Sequence, residues 1–335
     1  MDGLPEDVAQ RRERLRNPSP LPAATLLLIG MIVAALIGQF ALTALFGSNE
    51  AVQTWMTIFI AIVLQAIPFL VLGVALSAGL TAFVPEGEIN RALPRRPALA
   101  VPVAGLAGAA LPGCECASVP VAGRMIAGGV SAPAALTFLL SAPAVNPVVL
   151  VATAVAFPQT PVVVLARFVA SLALAMTMGW LWTRFGRPEW LHPPLRIQVD
   201  GGSRWQTFRL TAQHDFLQAG GLLVVGAFFA ATLNVVVSPS WSAPLAADPV
   251  VGVLILGLLA VLLSVCSEAD AFVAASLTGF SLTAKLAFMV VGPAVDLKLI
   301  AMQVGTFGRR FALRFAPVTF VGAIAVSALV GTLLL

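Results

Sequence analysis

Charge is scarce in this chain. Only 10 % of its 335 residues are Asp, Glu, Lys or Arg, against 59 % hydrophobic. A soluble globular domain carries about 25 % charged and roughly 45–50 % apolar residues. So few charges do not cover a water-facing surface of this size, and the outer surface must face lipid. Soluble enzymes, nucleic-acid binders and secreted scaffolds are excluded. The net charge of +4 is too small for a phosphate-binding face, and its arginines sit mostly in loops between apolar runs. Three cysteines are too few for a disulfide framework, and all three lie in apolar context. No Gly-Lys-Ser/Thr triplet occurs, which excludes a P-loop. The two histidines, His192 and His214, lie in or beside one polar segment, away from any serine–acid set. That excludes a hydrolase reading, and no cofactor is expected. The first 22 residues are charged and proline-rich, with no apolar run or small-residue cleavage site, so no signal peptide is expected.

What is abundant is apolar sequence. A bilayer core of roughly 30 Å takes about 20 apolar residues per helix. Runs of that kind predict unbroken spans at 23–46, 54–82, 132–156, 160–183, 213–236, 282–304 and 312–335. Two further runs, 98–129 and 250–279, are interrupted at Leu111-Pro-Gly-Cys-Glu-Cys and at Ser264-Val-Cys-Ser-Glu-Ala-Asp. Their halves are short for a full crossing. Fifteen of the seventeen arginines fall in segments 11–16, 91–96, 184–209 and 309–314, and the connections near 47–52, 157–161 and 237–249 have neither Lys nor Arg. By the positive-inside rule the four rich segments are cytoplasmic. All four can be cytoplasmic only if each interrupted run is a hairpin of two half-helices that enters and leaves on one side. The N-terminus is then inside and the C-terminus outside.

An internal repeat agrees with this topology. A shift of 150 aligns residues 131–146 with 281–296, identical at seven of sixteen positions, and pairs Cys116 with Cys266. A shift of 153 pairs Leu64-Gln-Ala with Leu217-Gln-Ala and Gly73 with Gly226; a shift of 147 pairs Arg167-Phe with Arg314-Phe. The expected organisation is a cytoplasmic tail (1–22), an extra N-terminal span (23–53), a first membrane repeat (54–183), a cytoplasmic linker (184–212) and a second, inverted repeat (213–335). The fold class is an all-α polytopic membrane protein whose repeat reads helix, broken hairpin, helix, helix. Inverted repeats with interrupted helices characterise secondary transporters, with the site near the midplane where the breaks meet.

The candidate chemistry lies in those breaks. Unwound backbone is tolerated at membrane depth only where it faces protein or water, so Cys114, Glu115 and Cys116 border a cavity. Thiolates suit zinc, cuprous copper and similar soft species. Cys114, Cys116 and, from the second repeat, Cys266 are therefore candidate substrate or metal ligands; the alternative is cysteine as a small buried hydrophobe. Glu115, Glu268 and Asp270 are acids within the breaks. An intramembrane carboxylate by default marks an ion or proton path, the alternative being a solvated edge. Asn146 and Asp296 each follow a Pro-Ala-Val, with Ser141 near the first, and are expected to line the groove that the proline opens; hydrogen bonding between helices is the alternative. Asp296 joins the acids as a coupling candidate. Lys285 and Lys298 are the only lysines. Lys298 is two residues from Asp296, so the two are not expected to share a helix face, and both lysines are expected to snorkel to the membrane surfaces. Arg124 either binds an anionic substrate or reaches the cytoplasmic surface. Gln65 and Gln218 are expected to tie helices together.

The stretch Pro112-Gly-Cys-Glu-Cys-Ala-Ser-Val-Pro-Val-Ala, with Gly128-Gly-Val-Ser-Ala-Pro and Phe138-Leu-Leu-Ser-Ala-Pro after it, resembles the predicted permeases of the YraQ/ArsP type, which include efflux permeases for trivalent organoarsenicals. The resemblance implies membrane export with Cys114 and Cys116 as thiol ligands. The chain departs from the organoarsenical branch at Glu115, where a small polar residue is expected, at Ala117, where glycine is expected, and in its Glu268/Asp270 pair. These departures leave room for a metal cation or another thiophilic solute. The expected function is an inner-membrane permease working by alternating access and coupled to protons. Its expected partners are lipid, protons and a small thiophilic solute or metal ion, with a homodimer left open. A membrane thiol redox protein and a membrane subunit of a multi-chain metal transporter are the alternatives.

Overall fold

The computed structural model describes residues 50–83, 94, 96–110, 115–191, 203–236, 249–277 and 279–335, all of them helical or connecting. The tail, the extra span up to residue 49, Cys114, His192 and most of the linker lie outside the described residues. The first half comprises α1 (Glu50–Phe83), α2 (Pro97–Ala107, prolonged by the 3-10 turn Gly108–Ala110), α3 (Glu115–Ala127), α4 (Ala132–Val145), α5 (Pro147–Ala156) and α6 (Val162–Phe185). The second half runs in the same order: α7 (Arg204–Val236), α8 (Pro249–Leu263), α9 (Asp270–Ser276), α10 (Leu282–Ala294), α11 (Leu297–Phe307) and α12 (Arg309–Leu334). Among the described residues, six stretches are long and apolar enough to cross a membrane: α1, α4 with α5, α6, α7, α10 with α11, and α12. Large apolar side chains stay exposed on them, such as Val151, Val321 and Leu333. Such a surface suits acyl chains.

Residues up to Ile60 form one compact unit and residues from Ala61 a second. Within the described part of the first, Trp55 stacks on Phe59 and the Thr57 hydroxyl donates to the Gln53 carbonyl. Within the second, α4 packs against α2, α3 and α6, and α10 against their counterparts α8, α9 and α12. The halves meet through α4 on α10 and α6 on α12, and through the reciprocal pairs α3 on α11 and α5 on α9.

Two expected spans are not continuous helices. Residues 132–156 break at Asn146 and residues 282–304 at Asp296. At Asn146 the cause is Pro147, whose ring forces the preceding residue out of the helical region; Asn146 is extended, at φ −71°, ψ 156°. Its Oδ1 accepts from Val149 N (3.1 Å) and its Nδ2 donates to the Ala142 carbonyl (3.0 Å), so one side chain serves both helix ends. No proline follows Asp296. There a carboxylate N-cap takes over, with Oδ1 accepting from Leu299 N at 2.6 Å. The second hairpin turns at Ser264, which holds a left-handed φ of 49°. Its hydroxyl donates to the Val261 carbonyl and accepts from Leu297 N (3.2 Å), which fastens the 264–269 break to the one at Asp296.

The repeat-related glycines mark close approaches. A Cβ on Gly73 would lie 2.4 Å from Ala117 Cα, and one on Gly226 2.7 Å from Lys298 Cα. Each lets a long helix press on an element that carries candidate site residues. Gly73→Ala is therefore expected to destabilise by about 1–3 kcal/mol through overpacking. Gly79→Ala, one and a half turns on with nothing within 4 Å, is expected to be neutral or stabilising. Thermal unfolding of the two purified variants checks this.

Candidate functional site

Among the described residues, three buried ion pairs join the two halves. The first lies where the breaks meet. Glu115 opens α3 and is 1 % exposed; Lys298, the second residue of α11, is 2 % exposed. Lys298 Nζ lies 2.9 Å from Glu115 Oε1 and 3.3 Å from Asp296 Oδ2. The expectation that Lys298 snorkels to the surface is overturned, as is its separation from Asp296. The i, i+2 rule holds inside a helix, but Asp296 is an extended N-cap, so its carboxylate turns alongside the side chain two residues on. A helix start favours the negative charge of Glu115 and Asp296. Cys116, Cys266 and Glu268 are all within Coulombic reach of the Lys298 ammonium. Both thiols are buried, and Cys266 Sγ donates to Glu268 Oε2 at 2.8 Å.

The second pair is Arg167 with Asp270. Arg167 is fully buried in α6. Its two terminal nitrogens donate to Thr153 Oγ1 (2.8 Å), the Ser267 carbonyl (3.2 Å) and Asp270 Oδ2 (2.7 Å). Sequence reasoning took Arg167 only as a repeat marker. Its signal was available: a lone arginine inside an apolar span demands a partner. Asp270, expected as a coupling acid or at a solvated edge, is 1 % exposed and one half of this buried pair.

The third pair corrects both readings of Arg124, which is 4 % exposed and neither reaches the surface nor stands ready for an anion. Its Nε donates to Asp215 Oδ2 at 3.1 Å, its second terminal nitrogen binds Asp215 Oδ1, and Ser77 Oγ donates to Asp215 Oδ2 at 2.8 Å. Asp215 and Ser77 were not anticipated, because both lie in runs that read as plain spans. Asp215 and Gly226 are both on α7, and Gly226 abuts Lys298. At 1.5 Å per residue the Arg124 pair therefore lies about 16 Å along α7 from the Lys298 cluster.

The remaining candidates divide. Ser141 is buried beside Gly108 and donates to the Phe138 carbonyl (3.3 Å), and Asn146 serves the α4–α5 break. Lys285, one turn into α10, is 8 % exposed. Gln218 Nε2 donates to the Gly305 carbonyl (2.8 Å), tying α7 to α11, while Gln65 is exposed. Four buried oxygens, Glu115 Oε2, Ser267 Oγ, Glu268 Oε1 and Asp270 Oδ1, have no hydrogen-bond partner among the described residues. They retain capacity for a solute or a proton. Among the described residues no three His, Cys, Asp or Glu side chains are grouped to hold a metal ion.

The chain is similar in sequence to known proteins. UPF0718 protein YcgR of Bacillus subtilis (strain 168) is 36 % identical over 285 residues, covering 83 % of this chain and 95 % of the relative. A candidate subunit of a two-component membrane permease complex from Streptococcus mutans serotype c is 29 % identical over 274 residues, covering 79 % of this chain and 91 % of the relative. No solved structure matches. The sequence pattern of ArsP_1, described as a predicted permease, matches residues 51–332, and the chain belongs to that family of predicted permeases.

Proposed function

We propose that this permease is a secondary exporter of a thiophilic solute, either a trivalent organoarsenical or a soft metal ion. It works by alternating access in the cell inner membrane and is coupled to protons. The observation that carries the reading is the Glu115–Lys298–Asp296 cluster, contributed by both halves at meeting helix breaks, with two buried thiols in its reach. In this reading Cys116 and Cys266 bind the solute, and the carboxylates exchange protons as the halves move. Arginine placement supports a cytoplasmic N-terminus and halves of opposite orientation. Everted membrane vesicles test it. Methylarsenite or cadmium is expected to accumulate in wild-type vesicles when a proton gradient is imposed. Accumulation is expected to fall at least about tenfold, the worth of about 1.4 kcal/mol, in Cys116→Ser and Cys266→Ser. Wild-type vesicles that take up neither solute refute the substrate class.

The Streptococcus mutans relative favours a second reading, in which transport needs a second chain. Liposomes holding only the purified protein decide between them. Uptake by this chain alone removes the two-component reading, and uptake that appears only with a second chain establishes it.

A further inference from the structure

The end of the bundle where α6 finishes and α12 begins carries mostly positive charge. Arg184, Arg187, Arg309, Arg310 and Arg314 are all exposed there, with Glu189 among them. Among the described residues, no carboxylate forms an ion pair with any of the five. Two of them are gathered on one ring. The guanidinium carbon of Arg314 lies 4.5 Å from the centroid of Trp190, and that of Arg187 lies 5.6 Å from it. The two cations are therefore no farther apart than the sum of those distances.

The ring that gathers them is fixed. Trp190 ends the 3-10 turn Pro188–Trp190 and meets Trp182 edge-on at 6.3 Å. Trp182 in turn meets Phe311 and Phe315, both buried in α12, at 5.4 and 6.3 Å. Attraction to the indole face offsets part of the repulsion between two guanidiniums but neutralises neither. One phosphodiester between them cancels half of that charge, and its two non-bridging oxygens accept charge-assisted hydrogen bonds from both guanidiniums. The surroundings choose the kind of phosphate. Phe185 and Leu313, each next to an arginine of the cluster, are 64 % and 57 % exposed. Large apolar groups flanking arginines at the ends of two spans suit acyl chains below a head group, whereas a free phosphate gains nothing from them.

We infer that Arg187, Arg314 and Trp190 form a binding site for the phosphate of an anionic phospholipid at this face of the membrane. The site is separate from the cluster at the helix breaks and does not depend on what the permease carries.

Native mass spectrometry of the full chain in detergent, titrated with phosphatidylglycerol or phosphatidylcholine, tests the inference. Wild type is expected to retain phosphatidylglycerol preferentially, and an excess of inorganic phosphate is not expected to displace it. The double variant Arg187→Gln/Arg314→Gln is expected to bind about thirtyfold more weakly, whereas Arg184→Gln/Arg309→Gln, with the same loss of charge, stays within about threefold of wild type. Trp190→Leu keeps every charge but removes the platform, and is expected to lose the preference for phosphatidylglycerol. Equal loss in the two double variants reduces the effect to overall charge and overturns the site. Equal retention of the two lipids by wild type, or displacement by phosphate, overturns it as well.

Discussion

Replacing Arg167 with methionine is expected to lower the stability of the folded protein by about 3–5 kcal/mol, the usual result of removing one partner of a buried pair. The guanidinium satisfies three oxygens at once: Thr153 Oγ1 on α5, the Ser267 carbonyl in the second hairpin break and Asp270 Oδ2 at the start of α9. Methionine fills much of the same volume but leaves the Asp270 carboxylate, itself 1 % exposed, without a counter-charge. Asp270→Asn is expected to have a comparable effect in the opposite sense, stranding the guanidinium. The double variant Arg167→Met/Asp270→Leu removes both charges and is expected to recover most of the loss, because apolar replacement of a whole buried pair is often neutral. Thermal unfolding in detergent, followed by the amount of monodisperse protein that survives heating, measures all four proteins. An Arg167→Met variant as stable as wild type would show that Asp270 has another partner and would remove this pair from the fold's framework.

The second large effect is expected at Lys298. Lys298→Met leaves Glu115 and Asp296 facing each other across the breaks without their shared ammonium. The folded state is expected to lose about 3–5 kcal/mol, and transport is expected to cease. Glu115→Gln in the same background restores the formal charge of the trio to the single negative unit of wild type. Stability is therefore expected to return in large part, and the double-mutant cycle gives the coupling energy of the pair, within about 0.5–3 kcal/mol for contacting residues. Transport is expected to stay lost if the carboxylates exchange protons as proposed, because the ammonium that pairs with both is gone. Recovery of both stability and transport would make the Glu115–Lys298 contact a structural brace alone.

The positions of the breaks were legible in the sequence because proline, glycine and acids inside apolar runs are local signals. Described helices end before and restart after both predicted breaks, and Cys116, Glu115, Cys266 and Glu268 come near one another from the two sides. The breaks at Asn146 and Asp296 were passed over because an apolar run on either side hides a single extended residue; Asn146-Pro147 was the available cue. The ion-pair partners were not legible, for a different reason. A charge at membrane depth announces that it needs a partner, yet Arg124 and Asp215 are 91 residues apart, Arg167 and Asp270 103, and Glu115 and Lys298 183. Only the packing of α3 on α7 and α11, and of α5 and α6 around α9, assigns them. Lys298 was misread because a helical face was assumed for a residue that precedes the helix.

The same separations have a consequence for synthesis. Every one of these pairs takes one member from the first half and one from the second, so Glu115, Arg124 and Arg167 of the first half find these counter-ions only in the second. At 5–20 residues per second, roughly 10–40 s pass between translation of Glu115 and of Lys298. Arg124 waits 91 residues for Asp215 and Arg167 waits 103 for Asp270, and Glu115 waits longest, 183 residues, for Lys298. Those three residues must wait at a hydrated edge or inside the insertion machinery. A chain that stalls before α11 is complete therefore offers the membrane's quality-control proteases a half-protein with exposed charge. Two separately expressed halves are expected to survive only when made together.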